Sequence, residues 1–290
     1  MKPEMKLGIL AHTYGKLPAA ELARKVAEEG FTSVQLALLK AIGDIDCSPG
    51  KLSPGLANHL GETFQREGVR IAVLGCYIDP VHPDKDIRRA EINRFKEHLR
   101  LARDFGCGMV ATETGSIRTY AESHPSDYEE HGWSVLRETV TELAEEAEKW
   151  GVKLAMEPVA SHTLNSLEHV RRLIEEVPSP TIGLLFDACN LLNEERLPSQ
   201  DDLMKDAFET LADRMVLIHA KDLDFGDGGH FAGSGRPRLD RPVGEGLLNK
   251  ELLYRLLKEH KPHIDISLEG VTADQAKRSA AELRRLYAQA

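Results

Sequence analysis

The chain has 290 residues, of which 41% are hydrophobic, so it can bury a substantial core. Its length suits a single-domain α/β barrel, and no linker rich in Pro, Ser or Gly separates two self-contained patterns, so we expect one domain over residues 1–290. The formal net charge of −10 (37 Lys and Arg against 47 Asp and Glu) repels a phosphate backbone and disfavours nucleic acid as a partner.

Three further features predict a cytoplasmic protein with no membrane partner. The four cysteines are scattered without a CxxC pair, which is typical of reduced thiols rather than of a disulfide framework. The N-terminal residues lead directly into a strand-like segment, without the pattern of a signal peptide. No apolar run approaches the ~20 residues that are needed to span a bilayer.

Short apolar runs alternate with helix-periodic segments along the whole chain. The runs are almost continuously apolar, as expected for parallel strands that are covered on both faces. Eight such runs predict a parallel sheet that closes into a (β/α)8 TIM barrel. An open doubly wound sheet is the alternative, but no GxGxxG motif follows the first run. The eight predicted strands lie within 7–14, 33–38, 70–78, 109–115, 153–158, 182–190, 216–223 and 265–270.

Amphipathic helices are predicted between these runs. Apolar residues recur at steps of three and four from 136 to 150, and Gly151 follows as a stop signal. Thr272, with Gln275 three residues later, is typical of a capping box that opens the last helix. The pattern therefore places a helix after the fourth and the eighth predicted strands, as the barrel requires.

One connection, 225–246, is longer than the others. It is rich in glycine and carries Arg236, Arg238 and Arg241. Because it follows the seventh predicted strand, it leaves the C-terminal mouth of the barrel, where active sites of this fold lie. Long loops in compact domains are usually lids or disordered segments, and we interpret this one as a candidate lid.

Each of the last four predicted strands ends in one acidic or imidazole side chain: Glu157, Asp187, His219 and Glu269. A single acid at a strand end is more often a helix cap or an ion-paired residue, but four in succession should converge in the mouth. Three carboxylates would repel one another there unless a cation joined them. This oxygen-rich set predicts one divalent metal ion, with Mn²⁺ preferred and Mg²⁺ or Co²⁺ as alternatives.

The sequence resembles the xylose-isomerase-like TIM barrels of the sugar (phosphate) isomerase/epimerase group, over essentially the whole chain. That group includes ketose 3-epimerases, hydroxypyruvate isomerase and the enzymes of inosose metabolism. The resemblance rests on Glu-Pro at 157–158, Asp-x-x-Asn at 187–190, His-x-Lys-Asp at 219–222, Pro-Val-Gly-Glu-Gly at 242–246 and Leu-Glu-Gly at 268–270.

The resemblance implies a Glu–Asp–His–Glu metal site in which Glu157 and Glu269 also move protons. The metal would chelate a carbonyl oxygen and a neighbouring hydroxyl of an open-chain sugar and stabilise the enediolate. One glutamate would remove the α-proton, and the other would return it to the opposite face in an epimerase or to the adjacent carbon in an isomerase. The implied substrate is a keto-sugar or related polyhydroxy carbonyl compound. Members of the group are often dimers or tetramers, so a homo-oligomer is compatible with the resemblance.

The chain departs from the ketose 3-epimerases at two positions. Their Asp-x-x-His motif reads Asp187-x-x-Asn190 here, so an amide replaces an imidazole that contacts substrate. Their arginine six residues beyond the histidine ligand falls on Phe225. Both changes argue against 3-epimerase activity as such, while the metal ligands are untouched. Asn190 is kept as a candidate substrate contact.

Four further residues are candidate substrate contacts: His12, Glu113, His162 and Lys221. His12 ends the first predicted strand and could bind a sugar hydroxyl, with a core or capping role as the alternative. Glu113 ends the fourth strand and could instead support a metal ligand. Lys221 could hold a carboxylate or polarise a carbonyl, and Asp222 could order the neighbouring histidine or the lid.

Three other functions stay open at this point. A lyase, dehydratase or decarboxylase acting on an oxidised sugar would use the same barrel and the same enediolate. An abasic-site endonuclease shares the barrel, but such enzymes usually gather several metals, extra histidines and a basic groove, whereas this chain is acidic. A binding barrel without turnover is the third.

Overall fold

The computed structural model describes residues 5–225 and 238–290. Most of the candidate lid, including Arg236, therefore lies outside the described residues. Eight parallel strands close into a barrel, which confirms the predicted (β/α)8 TIM barrel. Each barrel strand lies beside the barrel strand that precedes it in the chain, and the last barrel strand pairs with the first. The barrel strands are β1 (Lys6–Leu10), β2 (Ser33–Leu36), β3 (Arg70–Gly75), β4 (Met109–Thr112), β5 (Lys153–Met156), β6 (Ile182–Phe186), β7 (Met215–Ala220) and β10 (Asp265–Leu268).

Helices follow the barrel strands and pack around them. Their apolar faces are buried against the strands, so each strand is covered on its outer side. Two helices, one short and one longer, separate β2 from β3. The helices are α1 (Ala19–Glu28), α2 (Leu38–Ala41), α3 (Pro54–Arg66), α4 (Lys85–Leu101), α5 (Tyr128–Trp150), α6 (Leu167–Glu176), α7 (Gln200–Leu211), α8 (Lys250–His260) and α9 (Ala273–Gln289).

The predicted stop signal at the end of α5 and the predicted capping box at the start of α9 are both confirmed. Gly151 ends α5 in the left-handed conformation (φ 62°), where a residue without a side chain is not strained. Thr272 and Gln275 form the capping box of α9. Trp150, in contrast, is exposed at the end of the apolar stripe of α5, and its indole donates to Glu146.

One apolar cluster lies between the strands and the helices, and a second one fills the interior of the barrel. Its members alternate along the strands with residues that pack against the helices, because successive side chains of a strand point to opposite faces. The interior cluster consists of Val73, Ala111, Ala155, Leu185 and Leu217. Polar residues continue the same interior face towards the C-terminal mouth, where the candidate site lies.

All eight predicted runs end later than the observed barrel strands, and two of these differences bear on the site. The first strand ends at Leu10, and Ala11–Tyr14 forms a 3-10 turn, so His12 lies beyond the strand rather than at its end. The run 216–223 is divided, because β7 ends at Ala220. The residues that follow form another strand, which lies outside the barrel.

This additional strand, β8 (Asp222–Asp224), pairs antiparallel with β9 (Arg238–Arg241). Arg241 Nε lies 2.6 Å from Asp224 Oδ2, and this ion pair joins the two strands. The connection predicted as a loop over 225–246 therefore contains a strand close to its C-terminal end.

All four cysteines are free and buried. Burial raises the pKa of the Cys76 thiol to about 12 and that of Cys107 to about 11, so these thiols stay protonated and unreactive. Within the described parts of the chain, we find no helix that is both long and apolar enough to cross a membrane.

Candidate metal centre

The four side chains predicted as metal ligands converge at the C-terminal mouth. One ligand atom from each of Glu157, Asp187, His219 and Glu269 lies within 4.8 Å of the others. His219 Nδ1 is 2.6 Å from Glu269 Oε2, 3.1 Å from Glu157 Oε1 and 3.8 Å from Asp187 Oδ2. The Glu157 side chain is 3% exposed, whereas that of Glu269 is 24% exposed and can be reached from the mouth.

Strand geometry explains this convergence. Glu157, Asp187 and Glu269 are each the first residue after a barrel strand, and His219 is the penultimate residue of β7. Glu157, Asp187 and His219 lie two positions beyond the interior residues Ala155, Leu185 and Leu217, and a step of two residues returns a side chain to the same face. Parallel strands end on the same side of the barrel, so the ligands meet above its apolar interior.

Gln35, on β2, was not predicted as a site residue. Its side-chain oxygen lies 2.9 Å from His219 Nε2, and its Nε2 donates to the Tyr77 hydroxyl at 2.8 Å. With its amide nitrogen committed to Tyr77, Gln35 can only accept from the histidine, so Nε2 of the ring carries a proton. Nδ1 is thereby directed at the carboxylates, and its lone pair becomes available when its proton leaves, which is the arrangement that a metal-binding histidine needs. The available signal was a glutamine between Val34 and Leu36 in a fully buried strand.

Asp187 and Asn190 are linked by the turn after β6. Asp187 Oδ1 accepts from the backbone amides of Cys189 (2.8 Å) and Asn190 (3.2 Å), which leaves Oδ2 facing the other ligands. The amide nitrogen of Asn190 donates to Glu157 Oε1 at 2.7 Å. The residue predicted as a substrate contact therefore holds one of the candidate ligands in place.

Lys221 also lies within the cluster, and its side chain is only 4% exposed. Its Nζ is 2.9 Å from Asp187 Oδ2 and 3.3 Å from Glu269 Oε2. Burial opposes the charged form, but the neighbouring carboxylates, Asp187 foremost, raise the pKa of Lys221 well above its ordinary value. The lysine is a cation at every physiological pH.

The other pKa shifts follow from the same packing of charges. Burial raises the pKa of Asp187. Burial would also raise that of Glu269, but Lys221 and His219 outweigh it and hold the Glu269 pKa far below its usual value. For His219, burial is outweighed by Glu269 and Glu157, which raise its pKa well above 6.5. Three clustered carboxylates with one imidazole nitrogen fit a hard divalent cation, which would take the place of the His219 proton.

The remaining predicted substrate contacts lie around this cluster. His162 Nδ1 is 3.6 Å from Glu113 Oε2, and the Glu113 side chain is 38% exposed. The ring of His12 packs edge-on against Tyr77, with centroids 6.3 Å apart. Burial lowers the pKa of both His12 and His162, so these rings are neutral at pH 7 and can each donate and accept a hydrogen bond.

Asp222 fixes the chain segment that returns to the barrel after β9. Its carboxylate is fully buried, and Lys250 Nζ lies 2.7 Å from Oδ2. A side chain at Gly246 would overlap this carboxylate, so only glycine allows the segment to approach so closely. Asp222 therefore orders the segment 242–249 and does not orient His219. The backbone amides that donate to it belong to Leu223, Gly244, Gly246 and Leu248.

Comparison with known proteins agrees with this architecture. Residues 23–289 match the family described as Xylose isomerase-like TIM barrel. The chain belongs to this family. Among curated relatives, fructoselysine 3-epimerase of Escherichia coli O157:H7 is 22% identical over 290 residues, covering 93% of this chain and 98% of the relative. That relative is an epimerase, which is a member of the isomerase class of enzymes.

Two solved structures show the same fold. The apo form of 3-keto-D-glucoside 4-epimerase from E. coli has a TM-score of 0.75 at 17% identity, covering 97% of this chain and 100% of that chain. A protein named IOLI, solved with a bound zinc atom, has a TM-score of 0.73 at 18% identity, covering 98% of this chain and 99% of that chain.

Proposed function

We propose that the protein is a divalent-metal-dependent isomerase or epimerase of a keto-sugar or a related polyhydroxy carbonyl compound. The observation that carries the proposal is the convergence of Glu157, Asp187, His219 and Glu269 within 4.8 Å at the mouth of the barrel. The names of the relatives support it, since two of those compared are epimerases of sugars or sugar derivatives.

These four side chains would hold the ion, which when bound polarises the substrate carbonyl and stabilises the negative charge left by the departing α-proton. The oxygen-rich ligand set favours Mn²⁺, with Mg²⁺ or Co²⁺ as alternatives. Because the IOLI protein binds zinc, Zn²⁺ belongs in any metal series that is tested.

Glu269 and Glu157 are proposed to carry the proton. The C–H bond next to the carbonyl breaks, its proton moves to a glutamate oxygen, and its electron pair moves towards the carbonyl oxygen. Glu269 is the more accessible of the two from the mouth. Glu157 is buried, and its Oε1 accepts from Asn190, so its orientation is fixed while it returns or takes the proton.

Polar side chains around the cluster are proposed to bind the substrate. Neutral His12 and His162 can each exchange two hydrogen bonds with hydroxyl groups, and Glu113 can accept from one. Asn190 remains our candidate for a substrate contact through its side-chain oxygen. Mixed donors and acceptors of this kind suit a polyhydroxy chain better than an apolar ligand.

The test is a substrate screen with protein loaded separately with Mn²⁺, Mg²⁺, Co²⁺ or Zn²⁺. Ketoses, inososes and ketoacids are incubated in D2O, and products are resolved by NMR and mass spectrometry. We expect a product isomeric with its substrate, with deuterium at the reacting carbon. Glu157→Gln and Glu269→Gln should remove this activity, while Glu245→Gln, at a half-exposed acid paired with Arg278, should retain it.

Two results would oppose the proposal. Loss of water or carbon dioxide from the substrate would indicate a lyase, dehydratase or decarboxylase. The absence of exchange throughout the panel, in protein that holds the ion, would indicate a binding barrel.

A further inference from the structure

A buried lysine lies directly beside the candidate metal ligands. Lys221 directs its ammonium group at Asp187 Oδ2 and Glu269 Oε2, two of the atoms that are candidates to bind the ion. Removing an ammonium group from water is costly, and a second cation beside a divalent ion is repelled by it. The lysine is therefore expected to have a role that offsets both effects.

The charge of the centre indicates this role. Three carboxylates and a divalent ion leave a net charge of −1, which Lys221 brings to zero. When a glutamate accepts the α-proton it becomes neutral. The net charge of the side chains and the ion together then rises to +1, while the substrate becomes −1. Without Lys221, the side chains and the ion would be neutral at that moment. Charges that become complementary only in the transition state lower the activation barrier of the reaction rather than strengthen substrate binding.

The position of the ammonium group suits contact with the reacting oxygen. Among residues 5–225 and 238–290, its ion-pair partners are Asp187 and Glu269, and neither of the two facing oxygens accepts a well-formed hydrogen bond, so the ammonium group keeps hydrogens for a ligand. It lies beside Glu269, the more accessible proton carrier. A lysine in this place is suited to contact the carbonyl oxygen next to the carbon that loses its proton.

We propose that Lys221 is a catalytic residue that donates a hydrogen bond to the substrate oxygen on which charge develops, and that it lowers the affinity of the centre for the ion. The catalytic part of this inference rests on the proposed function. The effect on metal affinity can be measured without any substrate.

The first test compares metal affinity by calorimetric titration of Mn²⁺ into the wild-type protein, Lys221→Met and Lys221→Arg. Removal of a positive charge near the ion should tighten binding about tenfold or more in Lys221→Met, while Lys221→Arg should stay within about threefold of wild type. Lys250→Met is the matched control, since it removes a lysine that is 12% exposed and pairs with an aspartate but lies outside the cluster. Its affinity should match wild type.

Lys221→Gln serves in place of Lys221→Met if the methionine variant does not fold. An uncharged variant that binds Mn²⁺ no more tightly than wild type would overturn the charge effect.

The second test measures turnover and α-proton exchange in D2O at saturating Mn²⁺. We expect kcat of Lys221→Met to fall about 10²-fold, with KM changed by less than about threefold, because the contact is made in the transition state. Unchanged kcat would overturn the catalytic role. If wild-type protein exchanges no proton with any sugar, the proposed function and this catalytic role both fail, and the metal affinities still decide the charge effect.

Discussion

The side-chain oxygen of Gln35 lies 2.9 Å from Nε2 of His219, while Nδ1 of the same ring faces Glu269 at 2.6 Å. The two residues belong to β2 and β7, which are separated in the barrel by β1 and β10. The contact therefore crosses the interior of the barrel. It fixes the orientation of the ring and keeps a proton on Nε2 before any ion binds.

Replacing Gln35 should weaken metal binding although this residue cannot itself reach the ion. In Gln35→Leu the histidine loses its acceptor, and we expect the affinity for Mn²⁺ to fall by about 10- to 100-fold. Gln65→Leu, at an exposed position of α3, is the control and should bind as wild type does. Equal affinities in calorimetric titrations of the two variants would contradict the orienting role.

Asn190 should stabilise the cluster through its donor group. Asn190→Asp places a carboxylate against Glu157 Oε1, where an amide now donates at 2.7 Å. We expect the free energy of unfolding in the absence of metal to fall by about 1–3 kcal/mol, as measured by urea denaturation. Asn193→Asp is the matched control, because Asn193 accepts from the Arg196 amide through an oxygen that aspartate retains. A similar loss in both variants would argue against a specific contact.

The Asp222 carboxylate should contribute much of the stability of the segment 242–249. Asp222→Ala leaves four backbone amides and Lys250 without their acceptor, and we expect a loss of about 3–5 kcal/mol in the free energy of unfolding. Asp206→Ala breaks an exposed ion pair with Arg171 and should cost less than about 1 kcal/mol. Urea denaturation of both variants measures the difference, and equal losses would show that the buried carboxylate has no special role.

Metal binding should depend on pH through His219. Burial opposes the charged ring, but Glu269 and Glu157 outweigh it and raise the pKa well above 6.5, so the ring is protonated at neutral pH when no ion is bound. An ion that takes Nδ1 must displace this proton, so affinity falls as the pH falls. We expect up to about tenfold weaker Mn²⁺ binding per pH unit between pH 8 and pH 6. Calorimetry in buffers of different ionisation enthalpy measures the released proton, and affinity independent of pH would contradict the expectation.

The barrel and the convergence of the four ligands could be predicted because both follow from local patterns. Continuous apolar runs indicate covered parallel strands, and a charged residue directly after such a run must lie at the mouth. Gln35 was missed because its contact with His219 depends on the closure of the barrel. The strand β9 was missed because antiparallel pairing with β8 is held by Asp224 and Arg241, residues whose types also suit a solvated loop.

Several expectations from the sequence stay predictions. They include the extent of the domain, the cytoplasmic location, the absence of a nucleic-acid partner and assembly into a homo-oligomer. Each depends on surfaces or surroundings rather than on strand pattern. The candidate lid is a further case, since residues 226–237 lie outside the described parts of the chain.

The central claim is that Glu157, Asp187, His219 and Glu269 jointly hold one divalent ion. Its most direct test is a calorimetric titration of Mn²⁺ into metal-free wild-type protein and into Asp187→Asn, with Asp206→Asn as the exposed control. We expect one ion per chain in the wild type and in the control, and at least about 100-fold weaker binding in Asp187→Asn. Absence of binding by Mn²⁺, Mg²⁺, Co²⁺ and Zn²⁺ to the wild type, or equal binding by Asp187→Asn, would contradict the claim.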